Sequence, residues 1–311
     1  MQRSLRMLGG MLVCGALGLG SSGCLKKMIL DGQIASTRKA SAAVTTIGDW
    51  EVAQRITYAG VAQFEGMHYL APENLDALFM LTKSWSGMAF GFIEDELERA
   101  EDAHGDMSGE YAYHKARAVA AYSRAIYYGT QALDMMNPGY DQAKRNAKTM
   151  RAWLQGFDDA EEHVPQLFWV GQAWLGRTGL MRDDPATVSE LFVGYEIIKR
   201  AVELDETYLD GSGHVMLGAY HARSRMAELD ESKKHFERAL QINGGKALLT
   251  KFQYAVRYYC AKMDKESYVR LLNEVLDAGD VLPHARLNNA IAKRRAKRAL
   301  SEERMEMCGF E

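Results

Sequence analysis

The feature that most constrains this chain is the near absence of sequence patterns typical of β-strands. Runs of alternating Val, Ile and Thr are missing, whereas Ala, Leu, Met, Glu, Lys and Arg, which favour helices, dominate. Asn137-Pro138-Gly139 and Asn243-Gly244-Gly245 each end an apolar periodic segment. The sequence therefore predicts an all-α fold, with single helices over, among others, 72–102, 140–161 and 164–179.

A degenerate repeat runs through the predicted helices. Three segments place a small Ala before an aliphatic residue: YSRAIYYGTQALDMMNP, GYEIIKRAVELDETY and KKHFERALQINGG. Ala132, Ala201 and Ala239 are 69 and 38 residues apart, and Val275 follows 36 residues later. This spacing resembles multiples of the roughly 34-residue tetratricopeptide period. A chance pattern in an ordinary helical bundle is the alternative.

Glycines occupy matching places in the first helices of the predicted pairs, at Leu175-Gly176 and Leu217-Gly218. A glycine there lets two helices approach closely, and the small Ala of the second helix lets the next helix pack onto it. Because no single unit could bury its apolar face, the units are expected to stack. The sequence predicts tetratricopeptide-like helical hairpins stacked in a solenoid with additional helices.

The N-terminus resembles the signal of a bacterial lipoprotein. Arg3 and Arg6 precede an apolar run, 7–20, that is too short to span a membrane, and Ser21-Ser22-Gly23-Cys24 follows. We therefore expect cleavage after residue 23 and acylation of Cys24, which would anchor the protein in a membrane. An Asp directly after the acylated cysteine would signal retention in the inner membrane. This chain has Leu25 there, so we expect the anchor to lie in the periplasmic leaflet of the outer membrane. An ordinary export signal with an incidental Cys24 is the alternative.

The chain divides into four predicted parts: a lipoprotein signal peptide (1–23), an N-terminal tether or helix (24–48), a helical repeat domain (49–301) and a C-terminal tail (302–311). Removing the signal takes Arg3 and Arg6 from the 38 basic residues, which leaves 36 against 41 acidic ones, a net charge of about −5. This mild balance argues against nucleic-acid binding, which requires a clustered basic face.

Two charged runs stand out from this balance. The acidic run holds six carboxylates: Glu94, Asp95, Glu96, Glu98, Glu101 and Asp102. The basic run covers residues 293–298 near the C-terminus. We interpret both as solvated helix ends, since cations are favourable near a helix C-terminus.

Motifs for enzymatic chemistry are missing from the mature sequence. It contains no G-x-S-x-G, Walker A or dinucleotide-binding fingerprint, so we predict neither an enzyme nor a bound cofactor. His214 and His221 lie seven apart on one helix face and are possible metal ligands, but we interpret them as packing or capping residues and predict no metal. Cys260 and Cys308 could pair in the oxidising periplasm, or Cys260 could pack as a small hydrophobe.

Aromatic residues are concentrated in the first two thirds of the chain. Most are expected in the core, where each buries a large area, and the others could line an apolar ligand cavity. Phe168, Trp169, Gln172 and Trp174 are the predicted ligand-binding residues, with Gln172 as the polar group that orients the ligand.

Four passages give the chain a more specific resemblance. They cover 75–95, 117–140, 164–185 and the stretch from GHVMLGAYHARS to NNAIAKRRAKRAL; in the last, Gly244-Gly245-Lys246-Ala247 and Tyr258-Tyr259 are the most specific. In these passages the chain resembles the T component of tripartite ATP-independent periplasmic (TRAP) transporters, the TatT family of periplasmic lipoproteins.

The resemblance implies an all-helical fold of cryptic tetratricopeptide-like hairpins and a homotrimer with an apolar channel in each subunit. Its implied partners are a periplasmic solute-binding protein and small or hydrophobic ligands. Two functions therefore follow as hypotheses: a lipid-anchored transport accessory, or a tetratricopeptide-like protein-interaction scaffold in the cell envelope.

Overall fold

The computed structural model describes residues 21–223 and 228–310, with side chains from residue 25 onward. The predicted signal peptide up to residue 20 and the side chain of Cys24 lie outside this part. The described residues form helices and no strand, which confirms the all-α class. None of these helices is long and apolar enough to cross a membrane.

The α-helices are, in chain order, α1 (Ser21–Ser41), α2 (Trp50–Leu70), α3 (Leu75–Met88), α4 (Glu94–His104), α5 (Gly109–Met136), α6 (Tyr140–Ala143), α7 (Ala147–Leu154), α8 (Ala160–Leu180), α9 (Pro185–Ser189), α10 (Leu191–Leu204), α11 (Tyr208–His221), α12 (Leu229–Asn243), α13 (Leu248–Gln253), α14 (Cys260–Lys262), α15 (Lys265–Asp277), α16 (Arg286–Ala299) and α17 (Glu302–Met307). Two π-helical segments, Ala89–Ile93 and Tyr254–Tyr259, connect α3 to α4 and α13 to α14. Short 3₁₀-helices cover Ala42–Thr46 and Pro283–Ala285.

The prediction of a single helix over 140–161 was wrong. Asn146 starts α7 with a capping box, in which its side chain accepts from the backbone N–H of Thr149 and the Thr149 hydroxyl accepts in return. Asp159 then caps α8 by accepting from Glu162 N at 3.0 Å, so that α8 begins four residues before its predicted start. Local side-chain caps divided a segment whose apolar pattern is continuous.

The longer helices pack against one another around two main apolar clusters. Contacts join α3 to α5, α5 to α8, α8 to α10, and α11 to α12. The repeat positions Ala132, Ala201, Ala239 and Val275 are all buried. One cluster lies between residues 61 and 201, and the other between residues 215 and 310.

Two glycines allow the close helix contacts that their places in the repeat predict. A Cβ on Gly176 would lie 2.5 Å from the Tyr122 ring, and one on Gly218 would lie 2.9 Å from the Phe236 ring. Each glycine therefore lets an aromatic side chain pack directly against a helix backbone.

A disulfide joins Cys260 to Cys308, which answers the question that the sequence left open. It fastens the segment after α17 to the end of the second π-helical segment. Phe310 is buried beside this link, with its ring 5.1 Å from that of Tyr268. The last residues of the described chain are thus part of the second apolar cluster.

The acidic run on α4 faces the basic run on α16. We call this group the ionic clamp; it consists of Glu94, Asp95, Glu98, Arg294, Arg295 and Arg298. Asp95 accepts from Arg294 at 2.7 Å and forms an ion pair with Arg298 at 2.6 Å. Asp95 is only 2 % exposed and Arg295 only 6 %, so the interpretation of both runs as solvated helix ends was wrong.

Each carboxylate of the clamp has a different electrostatic environment. Burial alone would raise the pKa of Glu98, but Arg295 and Arg298 outweigh burial and hold that pKa below its usual range. Burial raises the pKa of Glu94, which Arg295 opposes, and the Tyr122 hydroxyl donates to Glu94 at 2.5 Å. The clamp therefore depends on Arg295, which contacts both Glu94 and Glu98.

We expect Arg295→Met to lower the free energy of unfolding by about 3 kcal/mol or more, because it leaves two buried carboxylates short of a cation. Urea denaturation measures this change. Arg270→Met is the matched control, since Arg270 pairs with Glu274 at the surface and its loss should cost less than about 1 kcal/mol. Equal effects of the two substitutions would contradict the structural role of the clamp.

Candidate ligand-binding cleft

A cleft of about 1180 Å³ lies between α1, the turn from α2 to α3, and the adjoining ends of α5 and α8. Apolar side chains from four helices line much of it: Leu30, Leu70, Leu75, Phe79, Met135 and Met136. Polar residues line the rest of it, and nine of these are charged: Lys26, Lys27, Asp31, Arg38, Glu73, Asp76, Asp159, Glu161 and Glu162. We call this space the α1 cleft.

Two polar contacts hold α1 in place as one wall of the cleft. Asn74 caps α3 by accepting from Ala77 N at 3.0 Å, and its amide donates to Asp31 of α1 at 2.8 Å. Farther along α1, Arg38 pairs with Asp76 at 2.5 Å. The start of α3 therefore fixes the position of α1.

The Arg38 guanidinium also lies over the Phe79 ring, 4.1 Å from its centroid. Asp76 balances the charge of Arg38, and the guanidinium lies beside an apolar wall of the cleft. Ile34, which lies between these contacts on α1, is fully buried. The α1 wall is thus packed as well as hydrogen-bonded.

One helical turn beyond Phe79, α3 carries Lys83, whose ammonium lies 5.9 Å from the Trp169 ring centroid on α8. Phe168 contacts both Trp169 and Tyr208, each with ring centroids 5.4 Å apart. We call Lys83, Trp169 and Tyr208 the donor cluster, because each presents an N–H or O–H group.

Backbone geometry at the start of α11 places Tyr208 in this group. Leu209, Asp210 and Gly211 have φ of 48°, 60° and 80°, so a left-handed turn precedes the regular helix. Left-handed backbone costs about 1 kcal/mol or more at a residue with a Cβ, and packing must compensate for it. Leu209 contributes to that packing within the apolar cluster around Phe168.

Burial shifts the pKa values of both ionisable groups in the donor cluster. Burial lowers the pKa of Lys83, and nearby Arg38 lowers it further. Burial raises the pKa of Tyr208 to about 12, although the Trp169 indole and Arg38 both oppose that rise. At neutral pH, therefore, Tyr208 is a neutral donor close to a cation.

Comparison with known protein families identifies the chain. The sequence profile of TRAP transporter T-components matches residues 48–306, which is most of the chain. The chain belongs to the TRAP transporter T-component family. No curated protein matches its sequence.

In this T component none of the four α8 residues that the sequence predicts as ligand-binding lines the α1 cleft. Phe168 and Trp169 meet at the donor cluster. Gln172 is buried, and its Oε1 accepts from the Ser86 hydroxyl at 3.1 Å. Trp174 packs in the first apolar cluster beneath Arg177, away from Phe168 and Trp169.

Sequence reasoning missed several residues of the T-component cleft. Arg38 and Gln166 carry no motif, and an arginine in a helix is ordinarily a surface residue. Phe79 lies inside a passage that carries the family resemblance, but no sequence pattern assigns it a role.

The two histidines that were possible metal ligands belong to a hydrogen-bonded group with a third. His214 Nδ1 lies 2.8 Å from His235 Nδ1, and His221 stacks on His235 with ring centroids 5.6 Å apart. Glu206 and Glu228 contact His214 and His221 at 3.0 and 2.6 Å. Among the described residues, no cluster of His, Cys, Asp and Glu has the arrangement of a metal site.

Proposed function

We propose that this chain is a lipid-anchored periplasmic accessory subunit of a TRAP-type transport system that handles small or hydrophobic ligands and docks a solute-binding protein. One observation carries the proposal: a member of the T-component family has a cleft of about 1180 Å³ lined by Leu, Phe and Met side chains. Ligand pockets are typically about 300–1,000 Å³, apolar, and furnished with a few polar groups. The α1 cleft is somewhat larger than this range and has the apolar side chains, but charged side chains line it as well, among them Lys26, Glu73 and Asp159.

The finer architecture of the proposal is a solenoid of degenerate tetratricopeptide-like hairpins. The packing of α11 on α12 supports it, as do the buried Ala132, Ala201 and Ala239. Within this body, Phe168 and Trp169 would bind ligand on α8, apart from the lining of the α1 cleft. Gln172 and Trp174 would support them from behind, since each is buried.

The remaining parts of the proposal concern location and assembly. A signal peptide of residues 1–23, acylation of Cys24 and a tether over 24–48 would place the repeat domain, 49–301, at the periplasmic face of the outer membrane, followed by the tail 302–311. Three copies would form a homotrimer with an apolar channel in each subunit. The match to the T-component family supports the association with a transport system.

A protein-interaction scaffold is the second candidate, and the open mouth of the α1 cleft favours it. The rim carries the exposed side chains of Leu70, Glu161 and Glu162, so an extended peptide could enter from solvent. Peptide binding without binding of small apolar molecules would support the scaffold instead of the transport accessory.

We expect Met135→Trp to weaken binding of the neutral probe 1-decanol about tenfold. Met135 lies on the cleft wall, and a larger ring there would exclude roughly two methylene groups at about 0.8 kcal/mol each. Isothermal titration measures the affinity. Met307→Trp is the control, because Met307 is also exposed but lies on α17. Unchanged binding by Met135→Trp would exclude the α1 cleft as the site.

The full chain, extracted with a mild detergent, should appear in native mass spectrometry as a trimer that retains apolar molecules. Release of those molecules on partial unfolding would identify their mass. A monomer without bound molecules would contradict the channel-forming homotrimer.

Cys24→Ala should release the protein from the membrane fraction into the soluble periplasm, because acyl chains on that cysteine would supply its membrane affinity. Fractionation and immunoblotting measure the distribution. Ser22→Ala leaves a small residue before the cysteine and should keep the protein membrane-bound. Membrane partition that persists without Cys24 would refute the anchor.

A further inference from the structure

Gln166 brings an unused hydrogen-bond acceptor to the α1 cleft. It lines the cleft but is only 1 % exposed, and its Oε1 has no hydrogen-bond partner among the described residues. Its Nε2 donates to the Gly129 carbonyl at 3.5 Å and to Thr82 Oγ1 at 3.4 Å. Thr82 in turn donates its own hydrogen to the Leu78 carbonyl at 2.8 Å, so a reversed Gln166 amide would set its oxygen against two acceptors. Leaving a buried acceptor unpaired costs free energy, which a donor on a ligand would recover.

The charges around the α1 cleft favour a cation over an anion. Six of the nine charged residues that line it are carboxylates, and three are cations. Asp76 already balances Arg38, and among the described residues neither Lys26 nor Lys27 pairs with a carboxylate of the lining. Three exposed carboxylates of the lining also have no ion-pair partner there: Glu73, Glu161 and Glu162. The cleft therefore has unpaired negative charge at its surface.

The start of α8 presents acceptors to the cleft in a row. Asp159, Glu162 and Gln166 are spaced by three and then four residues, which places them on one face of the helix, and all three line the cleft. Leu75 and Phe79, four residues apart on α3, line it with apolar side chains. One end of a molecule in the cleft can thus meet the acceptors of α8 while its chain lies against α3.

Helix stability alone explains only part of this row. Carboxylates in the first turn of a helix are common, because they interact favourably with the free N–H groups there. That preference accounts for Glu161 and Glu162. It does not account for Gln166, a neutral residue in the second turn whose buried oxygen has no partner.

We infer that the α1 cleft binds amphipathic ligands with a protonated amine, whose N–H groups donate to Gln166 Oε1 and the Glu162 carboxylate while the apolar chain lies along Leu75 and Phe79. The inference rests on the proposed ligand-handling function and specifies its ligand class. An ammonium group has three donors and no acceptor, which suits a row of acceptors. Its positive charge is attracted by the excess of carboxylates, whereas an anionic head group would be repelled.

The test compares four probes with a ten-carbon chain on the full chain carrying Cys24→Ala, so that no attached acyl group competes. Titration calorimetry at pH 7, below micelle-forming concentrations, measures the binding of decylammonium, decyltrimethylammonium, 1-decanol and decanoate. We expect decylammonium to bind about tenfold or more tightly than 1-decanol, because a charged donor forms the stronger hydrogen bond. Decyltrimethylammonium, which has the charge but no N–H, should fall between these two, and decanoate should bind more weakly than the alcohol.

Two substitutions on α8 separate hydrogen bonding from charge. Gln166→Met keeps the volume but removes the acceptor, so it should abolish the advantage of decylammonium over decyltrimethylammonium and leave the affinity for the latter within about twofold. Glu162→Gln keeps the shape but removes one charge, so it should weaken binding of both cations about threefold and leave 1-decanol unaffected. Glu51→Gln is the matched control, since Glu51 is exposed in the first turn of α2 and does not line the cleft, and it should change none of the affinities.

The outcomes separate this inference from the proposed function. Equal binding of decylammonium and 1-decanol, equal binding of the two cations, or tighter binding of decanoate overturns the amine site while ligand binding in the cleft stands. A preference for decylammonium that survives Glu162→Gln, or that Glu51→Gln lowers as much, overturns it as well. These comparisons decide the matter even if Gln166→Met does not fold. Failure of all four probes to bind overturns both the inference and the proposed function.

A lysine side chain of a peptide offers the same ammonium group, so a fifth probe distinguishes the source. An apolar peptide with a single lysine is titrated on the same protein. Binding of that peptide without binding of decylammonium would overturn the inference and favour the protein-interaction scaffold. Binding of decylammonium that depends on Glu162 and Gln166 supports the inference whether or not the peptide also binds.

Discussion

The ionic clamp is the interaction on which the arrangement of the two halves of the fold depends, one built around each main apolar cluster. Buried ion pairs contribute little net stability compared with apolar packing, but each is costly to break and demands one geometry. Asp95 and Glu98 on α4 meet arginines of α16 that lie about 200 positions later in the chain. Beside them Phe92, Leu287 and Ile291 form a small apolar cluster that supplies contact area. The apolar contacts hold the halves together, and the clamp determines how they fit.

The clamp and the α1 cleft are linked through one continuous helical stretch. The π-helical segment Ala89–Ile93 lies between α3, which carries Phe79 and Lys83, and α4, which carries the clamp carboxylates. A π-turn inserts one residue, which rotates the following helix by about 100° relative to a regular continuation. A regular α-helix with the Lys83 face toward α8 would therefore turn Glu94 and Glu98 away from α16. Such segments are frequent at functional sites, and here the reason is geometric: one helix serves two partners in different directions.

The sequence was informative about features that are local or periodic and uninformative about features that arise from long-range contact. Helix-forming composition and the buried Ala132, Ala201 and Ala239 could be predicted, because each reflects a short-range pattern. The ionic clamp could not, since two charged runs about 200 residues apart are typical of solvated surfaces until the topology brings them together. The residues of the α1 cleft show the same division. Aromatic content pointed to Phe168 and Trp169 on α8, whereas the cleft lies where the approach of α1 to the start of α3 brings Arg38, Asp76 and Phe79 together.

The same fold treats its buried charges in two opposite ways. In the clamp every arginine faces a carboxylate, and even Glu94, whose pKa burial raises, receives the Tyr122 hydroxyl. Among the described residues Lys83 has no carboxylate partner, and its ammonium lies 5.9 Å from the Trp169 ring centroid. Lys83 therefore keeps a cost of burial that the carboxylates offset for the clamp arginines, and its contact with the Trp169 ring offsets only part of that cost.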